Sequence, residues 1–266
     1  MRRPSPHFTA TIDGAARRPQ RFTIMRELRE VAPGVWSQDA DFRLPGGVPM
    51  PARATFLRVD GGGLLVHSPL GIDDETARYI DTLGEVRFLV APNCMHWLFL
   101  KAARDRYPSA QVLGAPGLEK KLRGVPFEPL PDSGRIPGIG GVQVLRVQGA
   151  PTMSEHAFFH ENSRSLVVTD LIFNIHATRS LVMQMYLRLG GAYRRTAQSR
   201  VWRFLVRDRA AAAISARTLL GWDFERVVVA HGEVVAHGAR ERTVEALRWM
   251  TAGLPPLLAV GRAGRN

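Results

Sequence analysis

Residues 149–174 read GAPTMSEHAFFHENSRSLVVTDLIFN, a polar loop followed by two short apolar runs, AFFH and SLVVT, with a turn between them and Asp170 where the second run stops. A carboxylate at the end of an apolar strand is a common way to present charge to a pocket. The same design recurs at VHSP (66–69), which supplies His67, and at VVVAHG (227–232), which supplies His231. His96 follows the apolar run VRFLVAP (86–92) in the same manner. A strand-end histidine is most often a hydrogen-bonded structural residue, and an Asp there often caps the next helix. What raises these four above that reading is their shared topological position, where loops at one edge of a sheet form a cleft. Imidazole nitrogen and carboxylate oxygen are donors that zinc, iron and manganese accept, so the set suits one divalent metal. Such an ion would acidify a bound water and polarise an ester or phosphoryl oxygen.

Outward from that segment, the period of the pattern changes along the chain. Residues 1–24 are polar, basic and without periodicity, and are expected to form a flexible head. Residues 28–44 predict a strand pair around Trp36 with Pro33-Gly34 as its turn, and LPGGVPMPAR (44–53) is a loop by composition. ATFLRVDGGGLLVHSP predicts a hairpin. DDETARYIDTLG carries an N-cap, early acids and a terminal glycine, all helix signals. VRFLVAP reads as a strand buried on both faces. MHWLFLKAARDRYP predicts a helix ending before Pro108, QVLGAP a strand and GLEKKLRG a short helix. VQVLRVQG is a further strand. Residues 176–221 read as mainly helical, and the Met/Leu-rich RSLVMQMYLRL suits a core or dimer-packing helix better than a membrane-surface one. FERVVVAHG then predicts a buried strand, ARERTVEALRWM a last helix, and residues 253–266 a flexible tail. The class is α/β (α+β), with a folded unit over residues 25–252.

Composition narrows the function. The chain of 266 residues carries a formal net charge of +12, and its only lysines are Lys101, Lys120 and Lys121. No arginine cluster is interleaved with stacking aromatics, so nucleic acid is not an expected partner. A small-molecule substrate is, and a homodimer stays open. Cys94 is the single cysteine, which excludes an intramolecular disulfide and suits the cytoplasm. No run of about 18 apolar residues predicts a transmembrane segment. GIGG (138–141) lacks the Lys-Ser/Thr of a phosphate loop, and a Gly-x-Ser-x-Gly elbow is absent.

The order of segments resembles the metallo-β-lactamase superfamily. VAPGVW resembles its opening strand, and GGLLVHSPLG stands where the superfamily's first aspartate-bearing strand ends. FLVAPNCMHWLF stands at its His-x-His-x-Asp-His loop, GAPTMSEHAFFHENSRSLVVTDLIF at its next ligand segment, and VVVAHG at its final His-Gly. A closer similarity is to an uncharacterised bacterial and plant domain-of-unknown-function family of this fold. It rests on HSP (67–69), APNCMHWLFL (91–100), FFHENSRSLVVTDLIFN (158–174) and WDFERVVVAHG (222–232). The resemblance implies a four-layer αββα sandwich of mixed sheets with outer helices, and a hydrolase-like metal cleft.

Departures from the superfamily pattern limit that cleft. If His96 takes the last histidine's place, the earlier ligands fall on Ala91 and Asn93 and the acid on Met95. If it takes the aspartate's place, Cys94 and Trp97 stand at two histidine positions. Ala150 replaces the histidine of the next segment, so Asp170 and His231 alone remain in register. Alanine and tryptophan offer no donor, which leaves at most a mononuclear site. The expected ligands and catalytic residues are His96, Asp170 and His231, with His67, Asn93, Cys94 and Glu155 around the pocket. Two alternatives stand beside the hydrolase: a non-catalytic fold relative serving as a binding or scaffold protein, with no metal, and metal-independent chemistry with His96 or His231 as general base.

Overall fold

Strand alternation in the first third of the chain builds a sheet with one antiparallel and one parallel half. The computed structural model describes residues 23–25, 28–44 and 47–253. Its first sheet comprises β1 (Thr23–Met25), β2 (Arg29–Ala32), β3 (Val35–Arg43), β4 (Pro49–Arg58), β5 (Leu64–His67), β6 (Val86–Ala91), β7 (Gln111–Gly114) and β8 (Glu128–Pro129). These run in the order β1-β3-β4-β5-β6-β7-β8, with β2 paired to β3. Pairing is antiparallel up to β5 and parallel from β5 to β8. The second sheet comprises β9 (Ser133–Arg135), β10 (Val142–Arg146), β11 (His156–His160), β12 (Ser165–Val168) and β13 (Arg226–Val229), in the order β13-β12-β11-β10-β9. Its β12 and β13 are parallel neighbours. The helices are α1 (Asp74–Leu83), α2 (Leu100–Arg106), α3 (Leu181–Leu189), α4 (Arg200–Leu205), α5 (Arg209–Gly221) and α6 (Ala239–Thr251).

Three apolar layers hold these elements together. Leu57, Leu65, Val90, Phe158, Val167 and Val228 fill the space between the sheets. On the far side of the first sheet, Phe56, Val66 and Leu89 meet Ile80 of α1 and Leu100 of α2. On the far side of the second, Leu166, Val227 and Val229 meet Leu219 of α5 and Leu247 of α6. Helices therefore cover both outer faces, giving the four layers α/β/β/α. Burying an aromatic such as Phe158 completely contributes about 1.5–3 kcal/mol, so each layer stabilises the sandwich by many such increments. Helix starts follow their caps: Asp73 Oδ1 accepts the Thr76 N–H at 2.8 Å, and Ser180, Ser199 and Asp208 cap α3, α4 and α5 in the same way.

Four local readings change. Residues 44–53 are not all loop, because β4 begins at Pro49. Its proline-containing half pairs only with β3, since β5 reaches no further along β4 than Thr55. With one side unpaired, a strand tolerates a missing N–H. The helix expected from Met95 starts at Leu100, because Asn93 Oδ1 accepts the Met95 and His96 N–H groups at 2.8 Å and folds those residues into a turn. GLEKKLRG forms turns instead of a helix, bracketed by Gly117 and Gly124 at positive φ. β1 starts at Thr23, inside the span read as a head, whereas residues 1–22 and 254–266 lie outside the described residues.

Candidate metal centre

The C-terminal ends of four strands from both sheets meet at one cavity, and the N-terminal end of a fifth lies behind it. Ser68 follows β5, Asn93 and His96 follow β6, Glu155 precedes β11, Asp170 follows β12 and His231 follows β13. His96 Nε2 lies 3.3 Å from Asp170 Oδ2, and His231 Nε2 lies 3.3 Å from Asp170 Oδ1. The two Nε2 atoms are 3.2 Å apart. One donor atom from each residue fits within a 4.8 Å cluster.

The far side of each imidazole is tied down. His231 Nδ1 lies 2.7 Å from the carbonyl oxygen of Pro51, which only accepts, so Nδ1 carries a proton and Nε2 is the nitrogen turned to the cavity, able to donate to Asp170 when protonated or to offer a lone pair to an ion when not. His96 Nδ1 lies 2.7 Å from Ser68 Oγ. Ser68 holds φ of 55°, the left-handed region that side chains avoid, and such strain is typical of a residue fixed by its site. Gly232 has φ of 109°, and a Cβ there would sit 2.2 Å from the Asn174 carbonyl oxygen, so only glycine lets the chain after His231 pack this close.

Behind Asp170 lies a buried polar hub. Glu155 Oε1 accepts the backbone N–H of Thr169 at 2.8 Å and of Leu171 at 3.2 Å, and Oε2 accepts that of Asp170 at 3.2 Å. Asn93 Nδ2 donates to Glu155 Oε2 at 2.7 Å and to Asp170 Oδ2 at 2.7 Å, with Thr169 Oγ1 at 2.9 Å. Burial and the Asp170 charge push the Glu155 carboxyl up, while the donors around it hold the ionised form. Burial also works against the Asp170 anion, but the His96 charge and hydrogen bonds from both imidazoles hold it well below the usual carboxylate range. For His231 burial disfavours the charged form, and the Asp170 hydrogen bond and charge outweigh it, leaving the imidazole above its ordinary value.

The remaining expected residues are placed differently. His67 is not at the cavity. It shares a strand face with Leu65 and packs edge-on against Phe158 between the sheets, ring centroids 4.9 Å apart. Strand alternation carries the signal that singles out its neighbour: the residue after the strand end, Ser68, faces the cleft. Cys94 also turns away. Its thiol lies in the helix-side core with Sγ 3.6 Å from the Pro116 carbonyl oxygen, and burial pushes it up, so it is no nucleophile for this cavity. Asn93 and Glu155 sit behind the cluster and do not line the cavity. Ala150, at the lost ligand position, is buried in the apolar layer beside α5. Ser68, Pro51 and Thr169 were not among the expected residues.

Burial lowers the pKa of His67 to about 3, helped by the nearby His96 charge, and that of His156 to about 4. The unfolded chain takes up these protons below its ordinary value of about 6.5, whereas the folded chain refuses them until the pH approaches the lowered values. Stability therefore falls as pH drops from about 6.5 toward 4, by up to about 1.4 kcal/mol per pH unit for each histidine. In urea titrations, His67→Leu is expected to lose markedly less stability than the parent between pH 7 and 5. Equal losses would show that His67 is not the group responsible.

The cavity has a volume of about 210 Å³. Its base holds Ser68, His96, Asp170 and His231, and its walls are apolar, with Phe42, Met50, Leu70, Trp97, Phe99 and Phe173 among them. Tyr186 of α3 completes one side. An αββα sandwich with strand-end donors at one edge is a recognisable architecture, and solved structures match it. The DIM-1 metallo-β-lactamase exposed to ceftazidime is 14% identical with a TM-score of 0.58, covering 85% of this chain and 99% of its own. This is the metallo-β-lactamase fold. The mono-zinc form of the metallo-β-lactamase FIM-1 from Pseudomonas aeruginosa is 13% identical, TM-score 0.57, over 86% of this chain and 97% of its own. The metal-soaked Flv1 flavodiiron core from Synechocystis sp. PCC6803 is 13% identical, TM-score 0.59, over 85% of this chain and 61% of its own. Residues 33–118 match the family model described as Domain of unknown function (DUF4336). No curated protein matches by sequence. Within the metallo-β-lactamase fold, the described residues keep one donor cluster, that of His96, Asp170 and His231.

Proposed function

We propose that the chain is a metal-dependent hydrolase with a mononuclear centre held by His96, Asp170 and His231, acting on an ester, amide or phosphoryl bond of a small molecule with an apolar portion. One observation supports the metal above all: the two imidazole Nε2 atoms stand 3.2 Å apart with a different Asp170 oxygen 3.3 Å from each, and the other nitrogen of each ring is already bonded. The corners of a tetrahedron about 2.05 Å from its centre are about 3.3 Å apart, close to the separation of the two Nε2 atoms. Two facing lone pairs at that distance repel unless a cation or proton lies between them.

A divalent ion there would supply an acidified water and polarise the scissile oxygen. The chain supplies the rest. Ser68 and Pro51 orient the imidazoles, and Asn93 positions Asp170. The apolar walls take the non-polar portion of the substrate and limit bulk water. Burial and the Asp170 charge push the Tyr186 phenol up, so it stays neutral and can serve as a hydrogen-bond donor to a bound substrate from the cavity wall. The single free Cys94 suits a reducing cytoplasm.

The 3.2 Å separation of His96 Nε2 and His231 Nε2 is also a hydrogen-bond length, which favours a second reading: a proton in the ion's place and His231 as a metal-independent base. Elemental analysis of full-length protein purified without a histidine tag separates the two. About one equivalent of zinc, iron or manganese per chain is expected, and less than about a tenth of an equivalent would sink the metal reading.

A further inference from the structure

The helices α3 and α4 leave an apolar face uncovered. In α3, Met183 and Leu187 are fully buried, so the core packing expected of this Met/Leu-rich run accounts for one stripe only. Leu181, Val182, Met185 and Leu189 form a second stripe within about 100° of helical arc, pointing outward. Leu181 is 78% exposed and Leu189 69%. α4 abuts this stripe, since the Arg200 backbone N–H donates to Gly190 O at 2.8 Å and its Nη1 to Leu189 O at 3.3 Å. It adds Val201 and Phe204, the latter 87% exposed.

Charge supplies the second observation. Residues 171–207 contain seven arginines, at 179, 188, 194, 195, 200, 203 and 207, and no aspartate or glutamate. Among the described residues none of the seven is paired with a carboxylate. Arg188 and Arg194 instead flank the Tyr193 ring, 4.2 and 5.3 Å from its centroid. The segment that carries this face is thus aliphatic and cationic, with no acid of its own between Asp170 and Asp208, although Arg203 turns to Trp249 of α6, 5.5 Å from its ring centroid.

We propose that this face docks on an anionic phospholipid bilayer, with the aliphatic side chains entering the headgroup–acyl boundary and the arginines binding headgroup phosphates. Membrane-surface helices combine these two features, and cations near an anionic leaflet add to the apolar attraction. A second copy of the chain fits poorly. A two-fold interface sets the patch against itself, arginine facing arginine with no acid between them. The attachment is peripheral, because no helix among the described residues is long and apolar enough to cross a membrane. Since α3 also carries Tyr186 into the cavity wall, the docked element and the cavity share a helix. The docking does not depend on a metal at the cavity base.

Sedimentation with vesicles tests this. Full-length protein is mixed with vesicles of phosphatidylcholine alone or with roughly 30% phosphatidylserine. Binding to the anionic vesicles is expected to be at least about tenfold tighter near 0.1 M salt and to weaken strongly near 0.5 M. The pair Leu189→Ser and Phe204→Ser, and separately the pair Arg179→Glu and Arg195→Glu, are each expected to cut binding at least about tenfold. All four positions are exposed, so the far-UV circular dichroism and Tm should hold. No binding to anionic vesicles at low salt overturns the proposal. Binding that either pair retains does so too, by placing the contact elsewhere in the chain. A lipid-free dimer that Leu189→Ser with Phe204→Ser dissociates would make the face a self-interface and overturn it equally.

Discussion

Asp170→Asn is expected to weaken zinc binding by ~100-fold or more while leaving the protein folded, because it removes the anion between two imidazoles and nothing from the core. The carboxylate meets His96 through Oδ2 and His231 through Oδ1, so one charge serves both rings. Asparagine keeps the shape but presents an amide nitrogen on one side, which cannot donate an electron pair to an ion. Ser68→Ala should act less strongly, about tenfold, since it frees His96 Nδ1 without touching a donor atom. Competition against a chelator of known affinity measures both variants. If Asp170→Asn binds zinc as the parent does, the ion sits elsewhere and the proposed centre is wrong. If Ser68→Ala proves the weaker binder, the orientation of His96 matters more than the charge of Asp170.

Glu155→Gln is the second large effect, and it acts on stability. Both carboxylate oxygens accept: three backbone N–H groups and the Asn93 amide converge on them in a fully buried position. A glutamine there turns an NH2 group toward N–H donors on one side, which removes acceptance and adds repulsion. The cost of leaving buried donors without a partner is about 1–3 kcal/mol each, so a loss near 3 kcal/mol is expected. At this size, that shifts Tm by roughly 6–12 °C. Lys101→Gln serves as the contrast: it breaks an exposed pair with Asp105, and its effect should stay within about 0.5 kcal/mol. An unchanged melting temperature in Glu155→Gln would mean that Glu155 is a neutral acid in the fold, which an amide can mimic.

The sandwich is legible in the chain because its strands announce themselves by period and two of its buried parallel strands by nearly continuous apolar runs. VRFLVA and RVVV, each followed by a polar turn, read as buried strands, and the structure gives each a parallel neighbour. Where the reading slips, a polar side chain or a proline has overridden the local pattern. Asn93 takes the two N–H groups that would have opened a helix at Met95, and that bond is invisible to periodicity. Pro49 and Pro51 suggest loop by composition, yet the strand they occupy has one open side.

The cluster itself was within reach for a similar reason. His96, Asp170 and His231 each follow a strand that a simple alternation rule ends at the same sheet edge. His67 belongs to its strand and not to the turn, so the same rule, applied one residue more strictly, selects Ser68. The hub of Asn93 and Glu155 lies beyond such rules. Its members are 62 residues apart, and which polar side chains meet in a core depends on the packed sheets.

Pro51 shapes what can be altered around the cavity. The atom that orients His231 is a main-chain oxygen, and every residue type carries one. No substitution at position 51 deletes it, so the imidazole's orientation is insulated from changes in side chain along this edge, provided β4 keeps its course. Met50 and Ala52, on either side, both line the cavity. A library that varies these two positions can therefore resize the pocket and change which molecules it admits without disturbing how His231 is held.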